Sequence, residues 1–383
     1  MRLVVPLDMA DVDASLVLVA PIDAQDATGK PNVVLIMMDD LGYGDLGSYG
    51  APDARTPNID RLAREGVRLT DAYANGPVCT PTRAALMTGR YQQRYGLERA
   101  LTLADTQAIL PVTGTSLPAL LRANGYATAL IGKWHLGYKR EYCPLAHGFD
   151  EFFGFLEGAH DYYVAGGLYE NTTPVQPRGY LTDEITDRSV AFIARQRSAP
   201  FFLDVAYNND NGGEWLSRNA PFFHRKGTLW EGGIRVPLIM RWPGELPAGK
   251  TSAQVALTMD ITASILSATG TKPPQSYRAD GIDLLPVLRG RVPRIERRVF
   301  WRFPPNASPD LTPLGRQQRV VRAGHMKLLV EGGHFFLFDL AADPGERTDL
   351  AAQRPNVVRS LWGLIQEWEK SVDEERTAAK TPG

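Results

Sequence analysis

Hydrophobic positions along the chain change period in a regular order. Asn32 to Met38 is an uninterrupted Val/Ile-rich run, the pattern of a strand buried on both faces of a largely parallel sheet. Thr56 and Pro57 follow as an N-cap and first-turn pair, with Ile59, Leu62 and Ala63 at helical spacing and Gly66 as a stop. Val67 to Tyr73 reads as the next strand. Ser116 opens a helix through Leu120 and Leu121 that ends at Asn124-Gly125, and Tyr126 to Trp134 alternates as a strand. Thr182 caps a helix to Arg197, Pro200 to Tyr207 and Val236 to Trp242 are strands, and Val255 to Ala268 is a helix. Strands and helices in alternation predict an α/β fold, a largely parallel central sheet flanked by helices.

Beyond about residue 290 the pattern shifts to short strands at hairpin spacing: Arg297 to Phe303, Gln318 to His325, Met326 to Val330 and Phe335 to Leu340. A long helix from Pro355 to about Glu374 closes the chain. This predicts a smaller C-terminal antiparallel sheet with one helix, and a division into residues 31–290 and 291–383. Ser15 to Ile22 is apolar but preceded by Asp8, Asp11 and Asp13 instead of a basic region, so residues 1–30 read as a weak leader or disordered segment.

With 383 residues the chain can bury a large core. Forty-two basic against forty-three acidic side chains leave a net charge of −1, which gives no global attraction to nucleic acid or anionic membranes. The longest apolar runs fall far below the ~20 residues of a membrane span. Two cysteines, Cys79 and Cys143, exclude a disulfide framework and leave the compartment open. The Asn171 and Asn306 sequons carry no further signal.

Candidate chemistry collects where strands end. Asp39-Asp40 lies at the carboxyl end of the first buried strand, before Leu41-Gly42-Tyr43-Gly44-Asp45. Ligands of open α/β sheets bind beyond that edge, and adjacent carboxylates repel unless a cation or proton neutralises them, which suits a hard divalent ion. A lone Asp pair more often only caps a turn. Cys79-Thr80-Pro81-Thr82-Arg83 runs into a helix that Gly89 ends; with Thr80 as N-cap and Pro81 at N1, Cys79 sits at the positive end of the helix and Arg83 in its first turn. A single Cys before a capped helix is more commonly an inert core residue. Lys133 and His135, two apart in a strand, would face one side while Trp134 faces the other.

Cys79-x-Pro81-x-Arg83 with Thr88-Gly89-Arg90 resembles the signature of the formylglycine-dependent sulfatases, arylsulfatase-like members of the alkaline phosphatase superfamily. The Asp39-Asp40 stretch, Gly132-Lys133-Trp134-His135-Leu136-Gly137, the run from Thr228 to Pro237, and Phe338-Asp339 through Glu346 resemble further motifs of that family, in order over roughly residues 30 to 375. The resemblance implies conversion of Cys79 to formylglycine by a maturation enzyme. It implies Arg83, Lys133 and His135 as catalytic residues, Lys226 as a sulfate contact, and Asp39, Asp40, residue 79, Asp210 and Asn211 as ligands of Ca²⁺ or Mg²⁺. The substrate implied is a saccharide or small-molecule sulfate ester, and the compartment implied is periplasmic or extracellular, cytoplasmic if the leader does not function.

One departure stands out. Members of that family follow the Phe-Phe-Leu strand with a Pro-His pair, a helix and a further strand before Asp-Asn-Gly, whereas here Asn208-Asn209 runs straight into Asp210. The resemblance thus implies an internal deletion near residues 208–210 that removes the second active-site His, leaving either His135 or His224, two residues before Lys226, as the leaving-group acid. Three activities fit: sulfatase, phosphate or phosphonate ester hydrolase on the same scaffold, and a sulfate-ester-binding protein without turnover.

Overall fold

The computed structural model describes residues 17–20 (backbone only), 29–105, 109–164, 166–196, 199–208, 217–305 and 315–378. Its centre is a ten-stranded sheet. Two parallel neighbours define the functional edge: β2 (Val33–Met37) pairs with β9 (Phe201–Ala206), and β9 pairs with β5 (Ala127–Lys133). Met37 and Gly132 both lie opposite Ala206. The carboxyl ends of three strands therefore coincide, and whatever follows Met37, Lys133 and Ala206 in sequence meets there.

Going outward on one side, β5 pairs in parallel with β6 (Glu151–Phe155), and the antiparallel β7 (Leu168–Glu170) and β8 (Thr173–Val175) complete the edge. On the other side lie β1 (Val17–Ala20), β10 (Leu238–Met240), β3 (Val67–Leu69) and β11 (Lys250–Ser252). Helices cover both faces: α1 (Pro57–Glu65), α2 (Cys79–Thr88), α3 (Leu117–Ala123), α4 (Leu181–Arg195) and the helix Thr258–Ala268. Strand β9 shows why both faces are apolar: Phe201, Leu203 and Val205 join one packed layer and Phe202 the opposite one.

Gly132 sits at φ 122° where β5 and β9 approach closely. A Cβ there would meet Ala206 O at 1.8 Å, so only glycine permits this pairing one residue before Lys133.

The α/β reading of the sequence holds, with local corrections. Val17–Ala20, expected in a leader or disordered stretch, forms a strand whose backbone pairs antiparallel with β2 and parallel with β10. The single strand expected over Val67 to Tyr73 breaks into β3 and β4 (Ala72–Tyr73), where Thr70 N donates to Ser252 O and Ala256 N to Asp71 O. The helix expected from Val255 starts at Thr258, since Ala256–Leu257 pairs with β4 as strand β12. The helix begins at Leu181 instead of after a Thr182 cap. Among the described residues no helix is long and apolar enough to cross a membrane.

The C-terminal sheet is antiparallel, in the order β13 (Arg298–Phe303), β14 (Gln318–Ala323), β15 (Met326–Glu331), β16 (His334–Asp339), and the helix Pro355–Ala378 packs on it. A core cluster crosses residue 290: Tyr73, Val78 and Ala85 pack with Val299, Trp301 and Phe338. Buried charges also cross it. Lys327, fully buried on β15, contacts Glu231 at 2.9 Å and Glu346 at 2.8 Å, while Glu231 accepts a hydrogen bond from Tyr73 Oη and pairs with Arg235.

Candidate active site

Two residues past β2, Asp39 reaches the first turn of α2 and the end of β5. Its carboxylate pairs with the Lys133 ammonium and lies 3.8 Å from Arg83 Nη2. Lys133 Nζ also donates to Cys79 Sγ at 3.2 Å, and Arg83 Nη1 donates to Lys133 O at 2.8 Å. Asp40 turns away from the strand at φ 65° and pairs with Lys226. A non-glycine residue in the left-handed region is held by its surroundings; here Ser217 Oγ donates to Asp40 O. Ligand atoms of Asp39, Asp40 and Cys79 all fall within 4.8 Å of one another. A cavity of about 90 Å³ opens onto them, with Arg83, Ser217, Lys226 and Arg235 among its walls.

The electrostatics follow from crowding. Burial pushes the Asp39 carboxyl up, but Lys133, Arg83 and Lys226 outweigh it and hold the group well below the usual carboxylate range. Burial and the charge of Asp39 raise Asp40. Burial disfavours the charged Lys226, yet Cys79, Asp40 and Asp39 together raise its pKa. Asp39 is thus held as an anion while the Asp40 anion stays disfavoured, and Lys133, Arg83 and Lys226 gather positive charge around the pair.

The structure brings Asp39, Asp40, Cys79, Arg83, Lys133 and Lys226 together. Asp210 and Asn211 lie outside the described residues. Cys79 is the first residue of α2, with Val78 as N-cap, so Thr80 does not cap: its hydroxyl donates to His135 O and accepts from Leu101 N, stitching two loops to the helix. Strand β5 ends at Lys133, and His135 adopts φ 60°, so Lys133 and His135 do not share a strand face. His135 is buried, with Nε2 hydrogen-bonded to Leu101 O at 3.0 Å and Nδ1 unpaired. Burial and then Lys133 push its pKa down to about 3, so the ring is neutral. His224 is exposed and stacks beside Trp230. Neither histidine borders the cavity.

Sequence reasoning missed Asp204 on β9, which is 3% exposed and faces α2. The signal was available, since an ionisable residue inside a strand of buried apolar neighbours demands a reason.

A cysteine at a helix start, paired carboxylates and convergent cations meet at the carboxyl edge of an α/β sheet, an arrangement suited to an oxyanion ester. Residues 31–219 match the sulfatase family model, and residues 220–371 match the model "N-sulphoglucosamine sulphohydrolase, C-terminal". The chain belongs to the sulfatase family. It is 33% identical over 362 residues to the N-acetylgalactosamine-6-sulfatase of Sus scrofa, covering 72% of this chain and 69% of that protein. It is 29% identical over 443 residues to arylsulfatase A of Bos taurus, covering 85% and 84%. The crystal structure of Ps i-CgsB in complex with k-i-k-neocarrahexaose superposes with a TM-score of 0.81 at 27% identity, covering 89% of this chain and 93% of that one. The PsFucS1 sulfatase from Pseudoalteromonas sp. shares the fold at a TM-score of 0.74 and 24% identity, covering 91% of each chain.

Proposed function

We propose that this protein hydrolyses a sulfate monoester, with residue 79 as nucleophile after conversion of Cys79 to formylglycine by a maturation enzyme. The observation that carries the reading is the single cluster of Cys79, Asp39, Asp40 and Lys133 at the first turn of α2. Hydrated formylglycine offers two hydroxyls on one carbon, one to attack sulfur and the other to expel sulfate by regenerating the aldehyde.

The donor set fits a hard divalent cation, Ca²⁺ or Mg²⁺: two carboxylates lie within ligand distance of each other and of residue 79, and their mutual repulsion is relieved by a shared positive ion. Asp39 and Asp40 would hold it with residue 79, and the sequence pattern adds Asp210 and Asn211. Bound there, the ion supplies a lowered pKa at the attacking hydroxyl and charge neutralisation for sulfate.

The remaining work belongs to the chain. Lys133, fixed beside residue 79, and Arg83, anchored on Lys133 O, place positive charge behind the nucleophile. Lys226, at the cavity wall, faces the incoming sulfate. No histidine among the described residues borders the cavity, which favours substrates whose leaving group needs little proton donation. Activated aryl sulfates are therefore the better substrates, since a poor leaving group depends on an acid far more than a good one.

Co-expression with a maturation enzyme, peptide mass spectrometry of residue 79, and parallel assays on 4-nitrophenyl sulfate and 4-nitrophenyl phosphate test this. An aldehyde at residue 79 with faster sulfate turnover is expected. Faster phosphate turnover would favour the phosphoesterase, and sulfated ligand bound without turnover the binding protein.

A further inference from the structure

Asp204 is a buried acid for which the proposed reaction gives no role. It sits on β9 one layer beneath the nucleophile, 3% exposed, and its Oδ1 has no hydrogen-bond partner among the described residues. Arg83 faces it in the same condition: Nη1 is bonded to Lys133 O, but Nε and Nη2 find no hydrogen bond. Between them lies a cavity of about 10 Å³ lined by Asp204, Arg83 and Lys133, together with Met37, Leu86 and Leu130. That is the size of one water, and the three unpaired polar groups supply the partners that one water needs. An unpaired carboxyl in an otherwise apolar strand opposes folding. Its presence is accounted for only by what it does to the arginine.

We propose that Asp204 is a positioning residue: across a single buried water it holds the Nε side of Arg83, so that the guanidinium keeps Nη2 towards Asp39 and its charge behind residue 79. The inference rests on residue 79 being the nucleophile. Asp204 has no contact with Asp39, Asp40 or residue 79, so it acts through Arg83.

The charged groups facing Asp204 are Arg83 from α2 and Lys133 from β5; β2 presents Met37 there and α2 also Leu86 and Met87. Burial raises the Asp204 carboxyl to about 7 against the pull of Arg83, so its hold on the guanidinium switches on across neutral pH.

Asp204→Asn keeps shape and removes the charge. Two measurements separate this inference from the function it rests on. In unconverted protein made without a maturation enzyme, iodoacetamide labelling of Cys79, read by peptide mass, needs no sulfatase activity. Wild-type and variant rates should coincide at pH 5.5 and diverge by about threefold by pH 8.5. In converted protein, kcat for 4-nitrophenyl sulfate should fall roughly tenfold at pH 8.5 with KM little changed, and the deficit should close at pH 5.5. Parallel labelling curves, offset or not by a constant factor, overturn the inference even if turnover is normal. A divergent labelling curve in a protein that never turns over sulfate sustains the Asp204 to Arg83 coupling and removes the proposed function instead.

Discussion

Asp204 also makes a prediction about stability, with a sign that an ordinary buried polar residue would not give. Its carboxyl titrates at about 7 in the fold against 3.8 when free, because burial disfavours the anion. A raised carboxyl binds its proton more tightly in the folded state. The contribution to stability is fully present below pH 3.8 and is lost as pH rises through 7. A raised carboxyl of this kind loses roughly 4 kcal/mol in full, and roughly 2–3 kcal/mol of that between pH 5 and 8. Asparagine does not titrate. Asp204→Asn should therefore gain roughly 2–3 kcal/mol relative to wild type on going from pH 5 to pH 8, whatever constant offset its amide introduces. Urea unfolding at the two pH values measures this directly. A gap between the proteins that is equal at pH 5 and pH 8 would refute the reasoning, because it would mean that burial does not raise the Asp204 carboxyl in the fold. Together with the kinetic test, the expected signature is a variant more stable in alkali and slower there.

Further predictions concern the cluster and the domain junction. Cys79→Ala should leave the unfolding midpoint within error and abolish sulfate turnover, as measured by urea titration and the 4-nitrophenyl sulfate assay, because a methyl side chain offers no thiol to convert to the proposed aldehyde. Asp40→Asn should remove most of the Ca²⁺-dependent rise in melting temperature, since one of the two proposed carboxylate ligands is gone; an unchanged rise would put the ion elsewhere. Lys327→Met should destabilise by about 3–5 kcal/mol in urea unfolding, because Glu231 and Glu346 would remain buried without their shared ammonium.

The sheet was largely legible in the sequence because periodicity reports burial. The apolar run before Asp39 and the strand read over Tyr126 to Trp134 are both present, and their parallel pairing through β9 brings their carboxyl ends together. Cap chemistry was less reliable. Thr80 looks like an N-cap, yet Val78 takes that place and the Thr80 hydroxyl serves His135 and Leu101, partners distant in sequence. His135 was misplaced for a similar reason: two-residue alternation assumes that the strand continues, and a left-handed residue ends it. Val17–Ala20 carries too few residues for its pattern to be told from a leader. Asp204 was hidden by the apolar neighbours that make it unusual.

The charge-bearing core around Lys327 has a consequence for how such a protein can change over evolutionary time. The ammonium on β15 is fully buried between an acid from the short helix Glu231–Ile234 and another that follows β16, and Tyr73 from the first half closes the group. Gly232 and Gly233, the residues after Glu231, line the same cavity as Cys79. A chain cut or recombined near residue 290 would leave Glu231 with no counterion from β15 and strip the apolar cover from Tyr73 and Val78. Each half therefore completes the core of the other, and an ill-matched exchange at this seam would be felt at the wall of the cavity beside Cys79.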